Sequence, residues 1–378
     1  MRILTAGESH GECLSTIIEG FPKGVRIERD FINQELKRRM SGFGRGKRMA
    51  IEDDKAEIVS GLRNKITMGS PIAILVKNKD VKIFSQNKDE LAPLSIPRPA
   101  HADLSGALKY GEADIRNILE RASARETVSR VCAGAVCKQF LLNFDINIAS
   151  FIVGVGNITS DLRPKSVSDI KTKIKNSQLN CLDPKKEKLM IKEIEKAEAE
   201  HDSLGGVAEI WIEGAPCGLG SFMHFDRRLD AQLANYLMSI PAVKGVEVGL
   251  GFKYAATRGS LSHDEIYYSK TKGFYRDTNN SGGIEGGIST GEPIILRIAM
   301  KPIATLRKPL NSVNVVTKAK EKAIVERSDT CAITACSIIA ENMSAIAVTE
   351  SFFAKFGSDT LADIKIAYRT YAKNLDNL

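Results

Sequence analysis

The chain has 378 residues, 43% hydrophobic and 26% charged, with a formal net charge of +8. This composition can bury a large core, as one big domain or two ordinary ones, and it excludes a disordered chain. No apolar run approaches the roughly 18 residues of a membrane helix, so no membrane partner is expected.

Residues 1–5 (MRILT) predict a short strand, followed by Gly7-Glu8-Ser9-His10-Gly11. Glu8, His10 and Glu12 break the apolar stretch that a signal peptide would need. "DFINQELKRR" predicts a helix with Asp30 as N-cap and Phe31, Ile32, Glu35, Leu36 and Arg39 at helical spacing. "SGFGRGKR" (41–48) is a basic, glycine-rich loop, and "SPIAILVKN" (70–78) reads as a buried strand. Residues 124–143 predict a helix whose many small side chains imply close packing.

Strands are expected at 145–156, 205–214, 243–252 and 292–300, and helices at 226–240 and 330–348. Residues 163–201 carry dense alternating charge, with Asp183-Pro184 as a helix start, and are expected to form a charged surface excursion without chemistry. Neither a linker nor a repeat divides the chain, so a single domain spanning 1–378 is expected. Strands and helices alternate irregularly, which predicts an α+β fold.

The seven cysteines include no C-x-x-C pair and imply buried free thiols in a reducing, cytoplasmic setting. The five histidines (10, 101, 201, 224 and 263) lie far apart, so no metal site is expected. Gly42 to Lys47 falls short of a phosphate-binding Walker loop, being followed by Arg48 instead of Ser or Thr, and no G-x-G-x-x-G follows a strand.

Three readings of Gly7–Gly11 stand side by side. The segment matches G-x-S-x-G, which would make Ser9 a hydrolase nucleophile, although such an elbow needs several strands already laid down around it. It could also be a plain glycine turn, or a turn that presents Ser9 or His10 to a ligand.

Lys37, Arg38, Arg39, Arg45, Lys47 and Arg48 crowd one loop region, and Arg98, Arg121, Arg125, Arg130 and Arg327 follow. A basic nucleic-acid-binding protein is one explanation. Only Phe43 interleaves the cluster, however, and Glu52-Asp53-Asp54 follows at once, so nucleic acid is not the expected partner. Guanidinium forks suit a small polyanion carrying phosphate and carboxylates. "NNSGGIEGGISTG" (279–291) and "MKPIATLRKP" (300–309) suggest backbone brought close to a flat, phosphate-bearing cofactor.

Six blocks then occur in order: GESHG, RPAHAD (98–103), RASARET (121–127), GGIEGG (282–287), MKPIAT (300–305) and ERSDTC (326–331). Together they resemble the signature blocks of the chorismate synthase family, over residues 1 to about 350. The resemblance implies a homotetramer whose subunits are β-α-β sandwiches, with helices between two antiparallel sheets. It also implies 1,4-anti elimination of phosphate from 5-enolpyruvylshikimate 3-phosphate, with reduced FMN and no net redox change, and NADPH as a possible reductant.

By the same resemblance His10 lies near the departing phosphate, His101 near the flavin, and Asp329 takes part in removing the ring proton. Arg39 and Arg45 match positions assigned to NADP or substrate, while Ser9, Arg48, Arg98 and Arg125 fit the substrate. Arg121, Ala122, Ser123, Pro241, Ala242, Gly286, Lys301, Pro302, Ile303, Ala304, Thr305 and Arg327 match FMN-contacting positions. Two residues depart from the family pattern: Ala122 stands for a serine, and Ala100 for the glycine usual before the second histidine.

Overall fold

The computed structural model describes residues 1–45, 53–81, 93–271, 273–325 and 328–375. Strands β1 (Arg2–Ala6) and β2 (Cys13–Glu19) flank the GESHG turn as an antiparallel pair. Helix α1 (Arg29–Met40) follows, then β3 (Ala56–Ser60), a small hairpin of β4 (Leu62–Arg63) and β5 (Ile66–Thr67), and β6 (Ile72–Lys77). The first sheet runs β1-β2-β6-β3, antiparallel throughout. Its period of two is plain in β6, where Ile72, Ile74 and Val76 are buried and the residues between them less so.

Helix α1 begins differently from expectation. Glu28 occupies the N-cap position, with no side-chain cap bond, and Asp30 lies inside the first turn. The Glu28 N–H instead donates to Gln139 Oε1 at 2.6 Å, so the helix start is capped from another element.

Helices α2 (Asp103–Tyr110), α3 (Arg116–Ala122) and α4 (Thr127–Leu141) come next, then strands β7 (Asn147–Val155) and β8 (Ile158–Thr159). Helices α5 (Val167–Lys173) and α6 (Pro184–Ala199) precede β9 (Gly206–Glu213), α7 (Leu229–Met238), β10 (Val243–Val248) and the single turn α8 (Gly259–Ser262). The hairpins β11 (Ile266–Ser269) with β12 (Gly273–Arg276), and β13 (Ile284–Glu285) with β14 (Ile288–Ser289), lead to β15 (Ile294–Met300). A last hairpin, β16 (Asn311–Val313) with β17 (Lys320–Lys322), is followed by α9 (Ile333–Phe356) and α10 (Leu361–Leu375).

The second sheet runs β10-β15-β9-β7-β8, again antiparallel. Helix α4 packs on β1, β2 and β6, α9 packs on β7 and β9, and the two helices pack on each other. The result is the expected α+β sandwich, with helices between two sheets. One apolar cluster runs through all its layers, from Ile72 and Ile74 through Val131, Val136 and Ile346 to Ile210 and Ile298.

Segment 163–201 does more than carry charge. Val167, Ile170, Ile174 and Leu182 cover Ala149, Phe151 and Trp211 on the outer face of the second sheet. The Asp183 side chain caps α6, accepting from the Lys185 and Lys186 amides at 2.8 and 3.2 Å, with Pro184 in the first turn. Met190 and Ile194, one turn apart, are fully buried beneath the lysines and glutamates. All seven cysteines are free; five are buried, but Cys217 is exposed and Cys13 half-buried, so burial does not hold for every thiol.

Candidate active site

The turn after β1 is built for close approach. Gly7 has φ +110°, and a Cβ there would lie 2.4 Å from the Cys13 carbonyl oxygen. Beyond it, the Ser9 N–H donates to the Glu120 carbonyl at 3.1 Å, and Ser9 is buried. The His10 N–H donates to Glu120 Oε2 at 2.9 Å, and its ring Nδ1 lies 2.8 Å from Glu120 Oε1. Arg121, the next residue of α3, reaches back to the carbonyls of Gly7 and Thr5 at 3.0 and 3.1 Å. The end of α3 therefore grips both sides of the turn.

Asn78 connects this turn to the arginines. Its Nδ2 donates to the carbonyls of Gly11 and Glu8 at 2.8 and 3.2 Å, and its Oδ1 accepts from Arg125 Nε at 2.9 Å. Arg125 Nη1 lies 2.7 Å from Asp54 Oδ1, and Arg39 Nη1 lies 3.8 Å from Asp54 Oδ2. Arg39 also donates to Thr127 Oγ1 and the Ala124 carbonyl, each at 3.0 Å.

Burial pushes the Arg39 guanidinium down to about 10; Arg45 and Arg125 push the same way, against Asp54 and Asp329. It still carries its charge at neutral pH. Its Nη1 is buried without a hydrogen bond and faces Asp54 Oδ2 at ion-pair distance. Arg45 Nη1 lies 2.9 Å from Asp329 Oδ2. The 41–45 loop is anchored there because the Thr330 N–H donates to the Gly44 carbonyl at 2.9 Å.

RPAHAD supplies the opposite end. Arg98 Nε donates to Asp103 Oδ2 and Nη1 to Thr305 Oγ1, both at 2.8 Å, while Nη2 lies 3.0 Å from His101 Nδ1. His101 Nδ1 is 2.5 Å from Asp103 Oδ1. Burial alone would raise the Asp103 carboxyl, but hydrogen bonds from His101 and Arg98 overcome it and hold the group well below the usual carboxylate range. Lys301 Nζ donates to the Ala100 carbonyl at 2.6 Å, and the Lys301 N–H to the Ala242 carbonyl at 2.9 Å. Ser328 Oγ donates to the Thr305 carbonyl at 2.9 Å, which ties the residue before Asp329 to the partner of Arg98.

Hydrogen bonds and ion pairs thus form two runs, one from His101 through Arg98 and Thr305 to Ser328, whose neighbour Asp329 pairs with Arg45, and one from Arg39 through Asp54, Arg125 and Asn78 to the His10 turn. Residues far apart in sequence are brought together in this way.

Not every expected residue joins it. Arg48 and Arg327 lie outside the described residues. Gly286 sits in the β13–β14 turn at the start of α7, where the Leu229 N–H donates to the Gly287 carbonyl at 2.9 Å. Pro241 and Ala242 follow the other end of that helix, roughly 15 Å away at 1.5 Å per residue. The 279–291 glycines also serve a purpose other than the expected one. A Cβ on Gly282 would lie 2.4 Å from the Gly249 nitrogen, and one on Gly283 2.5 Å from the Pro293 oxygen, so here backbone approaches protein. Only at Gly286 among 282, 283, 286 and 287 would a Cβ meet nothing within 4 Å.

Glu120, Asp103, Asp54 and Asn78 were not singled out from sequence. Asp103 closes the RPAHAD block and Glu120 directly precedes RASARET, so their position beside the motifs was the available signal. Asp54 entered only as an argument against nucleic acid, and nothing local marks Asn78.

Buried arginines beside carboxylate-paired histidines, spread over the loops of an α+β sandwich, make an enzyme that handles a small molecule by acid–base chemistry. The sequence model of the family described as chorismate synthase matches residues 1–353. A chorismate synthase of Alkaliphilus metalliredigens is 49% identical over 98% of this chain and 99% of its own. One from Desulforudis audaxviator is 45% identical over 99% of this chain and 98% of its own. A crystal structure of a chorismate synthase superposes with a TM-score of 0.82 at 39% identity, covering 100% of this chain and 98% of that one. The chain belongs to the chorismate synthase family. It is a lyase of the last step of the shikimate pathway, and the hydrolase and nucleic-acid readings are set aside.

Proposed function

We propose that the chain converts 5-enolpyruvylshikimate 3-phosphate to chorismate with reduced FMN. The observation that carries this reading is the set of side chains that these bonds hold together. It joins two histidines, Asp329 and four arginines, the groups that a trianionic substrate losing one phosphate and one ring proton requires. Arg39, Arg45 and Arg125 bind the substrate's anions, with Ser9 at the turn beside them. Burial of Arg39 and the Arg45 pairing with Asp329 favour this over a dinucleotide site.

The donors around Lys301 fit a flavin. Its ammonium is lowered by burial, with Lys244 adding to the effect, so an arriving phosphate restores what desolvation removes. Arg121, Ser123, Ala242 and Thr305 complete the cradle, with Pro241, Pro302, Ile303 and Ala304 shaping its walls and Ala122 contributing no hydroxyl; Gly286, at the far end of α7, stands outside it. The cradle residues would hold reduced FMN, whose chemistry there would be to supply electron density to the substrate without net redox change. His10 gives a proton to the leaving phosphate, Asp329 accepts the ring proton, and His101, oriented by Asp103, holds a proton beside the cofactor.

We infer a homotetramer in the cytoplasm. Phe222, Met223, Phe225 and Phe252 are 64 to 83% exposed, which supports coverage by other subunits. Free thiols suit a reducing compartment. Anaerobic mixing of the protein with 5-enolpyruvylshikimate 3-phosphate and chemically reduced FMN tests the reaction. Chorismate and phosphate should appear in equal amounts, and neither with oxidised FMN; turnover without reduced flavin, or none with it, refutes the reading.

A further inference from the structure

We propose that Glu120 is a positioning residue that fixes which ring nitrogen of His10 meets the ligand. Its carboxylate is buried, and His10 occupies both oxygens, the backbone N–H on Oε2 at 2.9 Å and ring Nδ1 by Oε1 at 2.8 Å. A carboxylate only accepts hydrogen bonds, so Nδ1 carries the hydrogen in either protonation state of the ring. All proton exchange with the substrate then takes place at Nε2.

The surroundings agree. Nε2 points away from Glu120, with Asp80 Oδ2 at 3.8 Å as the charged group on that side. The backbone bond from Ser9 to the Glu120 carbonyl and the Arg121 bonds to Gly7 and Thr5 prevent the turn from sliding along α3. A flip of the ring breaks its bond to Oε1, and withdrawal of the turn breaks the backbone bonds as well. Without Glu120, a neutral histidine would place its hydrogen on either nitrogen, and part of the population would offer the wrong atom.

The proposal rests on the reading above only for its kinetic test. Its structural test uses the full-length protein labelled with ¹⁵N-histidine, with ring nitrogens read by long-range ¹H–¹⁵N correlation at alkaline pH, where the ring is neutral. The His10 signal is assigned by its loss in His10→Ala. Wild type and Glu120→Asp should carry the hydrogen on Nδ1. In Glu120→Gln the amide oxygen keeps the backbone bond and the NH₂ faces Nδ1, so the hydrogen should move to Nε2. A wild-type ring protonated on Nε2, or a Glu120→Gln ring unchanged from wild type, overturns the proposal.

In the anaerobic assay Glu120→Gln should lower kcat about 10–100-fold, less than losing proton transfer outright. KM should stay within about twofold, because the arginines that bind the anions are untouched. A loss confined to KM would overturn the positioning role. If wild type makes no chorismate, the proposed reaction fails while the tautomer measurement still decides the role of Glu120. If Glu120→Gln does not fold, as judged by circular dichroism, the wild-type and Glu120→Asp spectra decide it.

Discussion

Ala100 sits at φ 61°, in the left-handed region, directly before His101. An L-residue there costs about 1–2 kcal/mol, of which the smaller unfolded-state entropy of alanine relative to glycine returns about 0.4–1 kcal/mol. Ala100→Gly should therefore stabilise the protein by about 0.5–1 kcal/mol in urea denaturation; a loss of stability would show that the Cβ makes a contact worth more than the strain. His10→Ala and His101→Ala should each lower kcat about 10²–10⁴-fold with the fold intact, as loss of proton transfer does. Wild-type turnover in either variant would remove that residue from the chemistry. Asp329→Asn should show a similar loss while FMN titration still reports binding. The proposed working groups stand inside recognisable blocks, which is what brings His10, His101 and Asp329 forward from the sequence. Their partners were not. The Glu120 bond to His10 spans 110 positions, and no local spacing announces a contact made only in the folded chain.

At the scale of elements, periodicity located the main strands and central helices, while ends and caps depended on distant groups. Gln139 caps α1, and α9 runs to Phe356, beyond the expected end at 348, because Phe352 and Phe356 pack on Phe144 and Tyr368. The element-level contact with the clearest consequence is Glu341. It is fully buried in α9 and takes Arg38 of α1 and Lys138 of α4, each at 2.7 Å, and the Ser150 amide of β7 at 2.9 Å. Three helices and a strand meet at one carboxylate. Burial would raise its pKa, but Arg38 and Lys138 hold it well below the ordinary value of 4.5.

A folded-state value below the unfolded one means stability that is present above about pH 4.5 and lost as pH falls below it, toward the folded value. Glu341→Gln should cost about 3–5 kcal/mol at neutral pH, because it leaves the Arg38 and Lys138 cations to share one carboxylate, Glu35, instead of two. Its stability should then decline less than that of wild type as pH falls from about 4.5. Parallel urea midpoints at several pH values measure both effects. Equal acid sensitivity in the two proteins would mean that Glu341 is not the group being titrated.

For the molecule as a whole, the layered arrangement came from the family resemblance; the pattern of strands and helices predicted only α+β. The order β10-β15-β9-β7-β8 is set by long-range pairings that hydropathy does not encode. What packing adds is a claim about cooperativity. Because one apolar cluster passes through both sheets and the helices between them, damage to the first sheet should be felt in the second. Trp211 is the sole tryptophan, nearly buried on the outer side of the second sheet, with its Nε1 donating to Glu209 Oε1 at 2.8 Å. Ile74 is fully buried on the inner face of the first sheet, across the helical layer. Ile74→Ala should cost about 2–5 kcal/mol. If the sandwich unfolds as one body, Trp211 fluorescence and far-ultraviolet circular dichroism should shift to lower urea together. If the sheets unfold separately, the Trp211 transition will keep its wild-type midpoint while part of the dichroism moves. That outcome would divide the chain into two folding units, with the proposed catalytic groups brought together only when they dock.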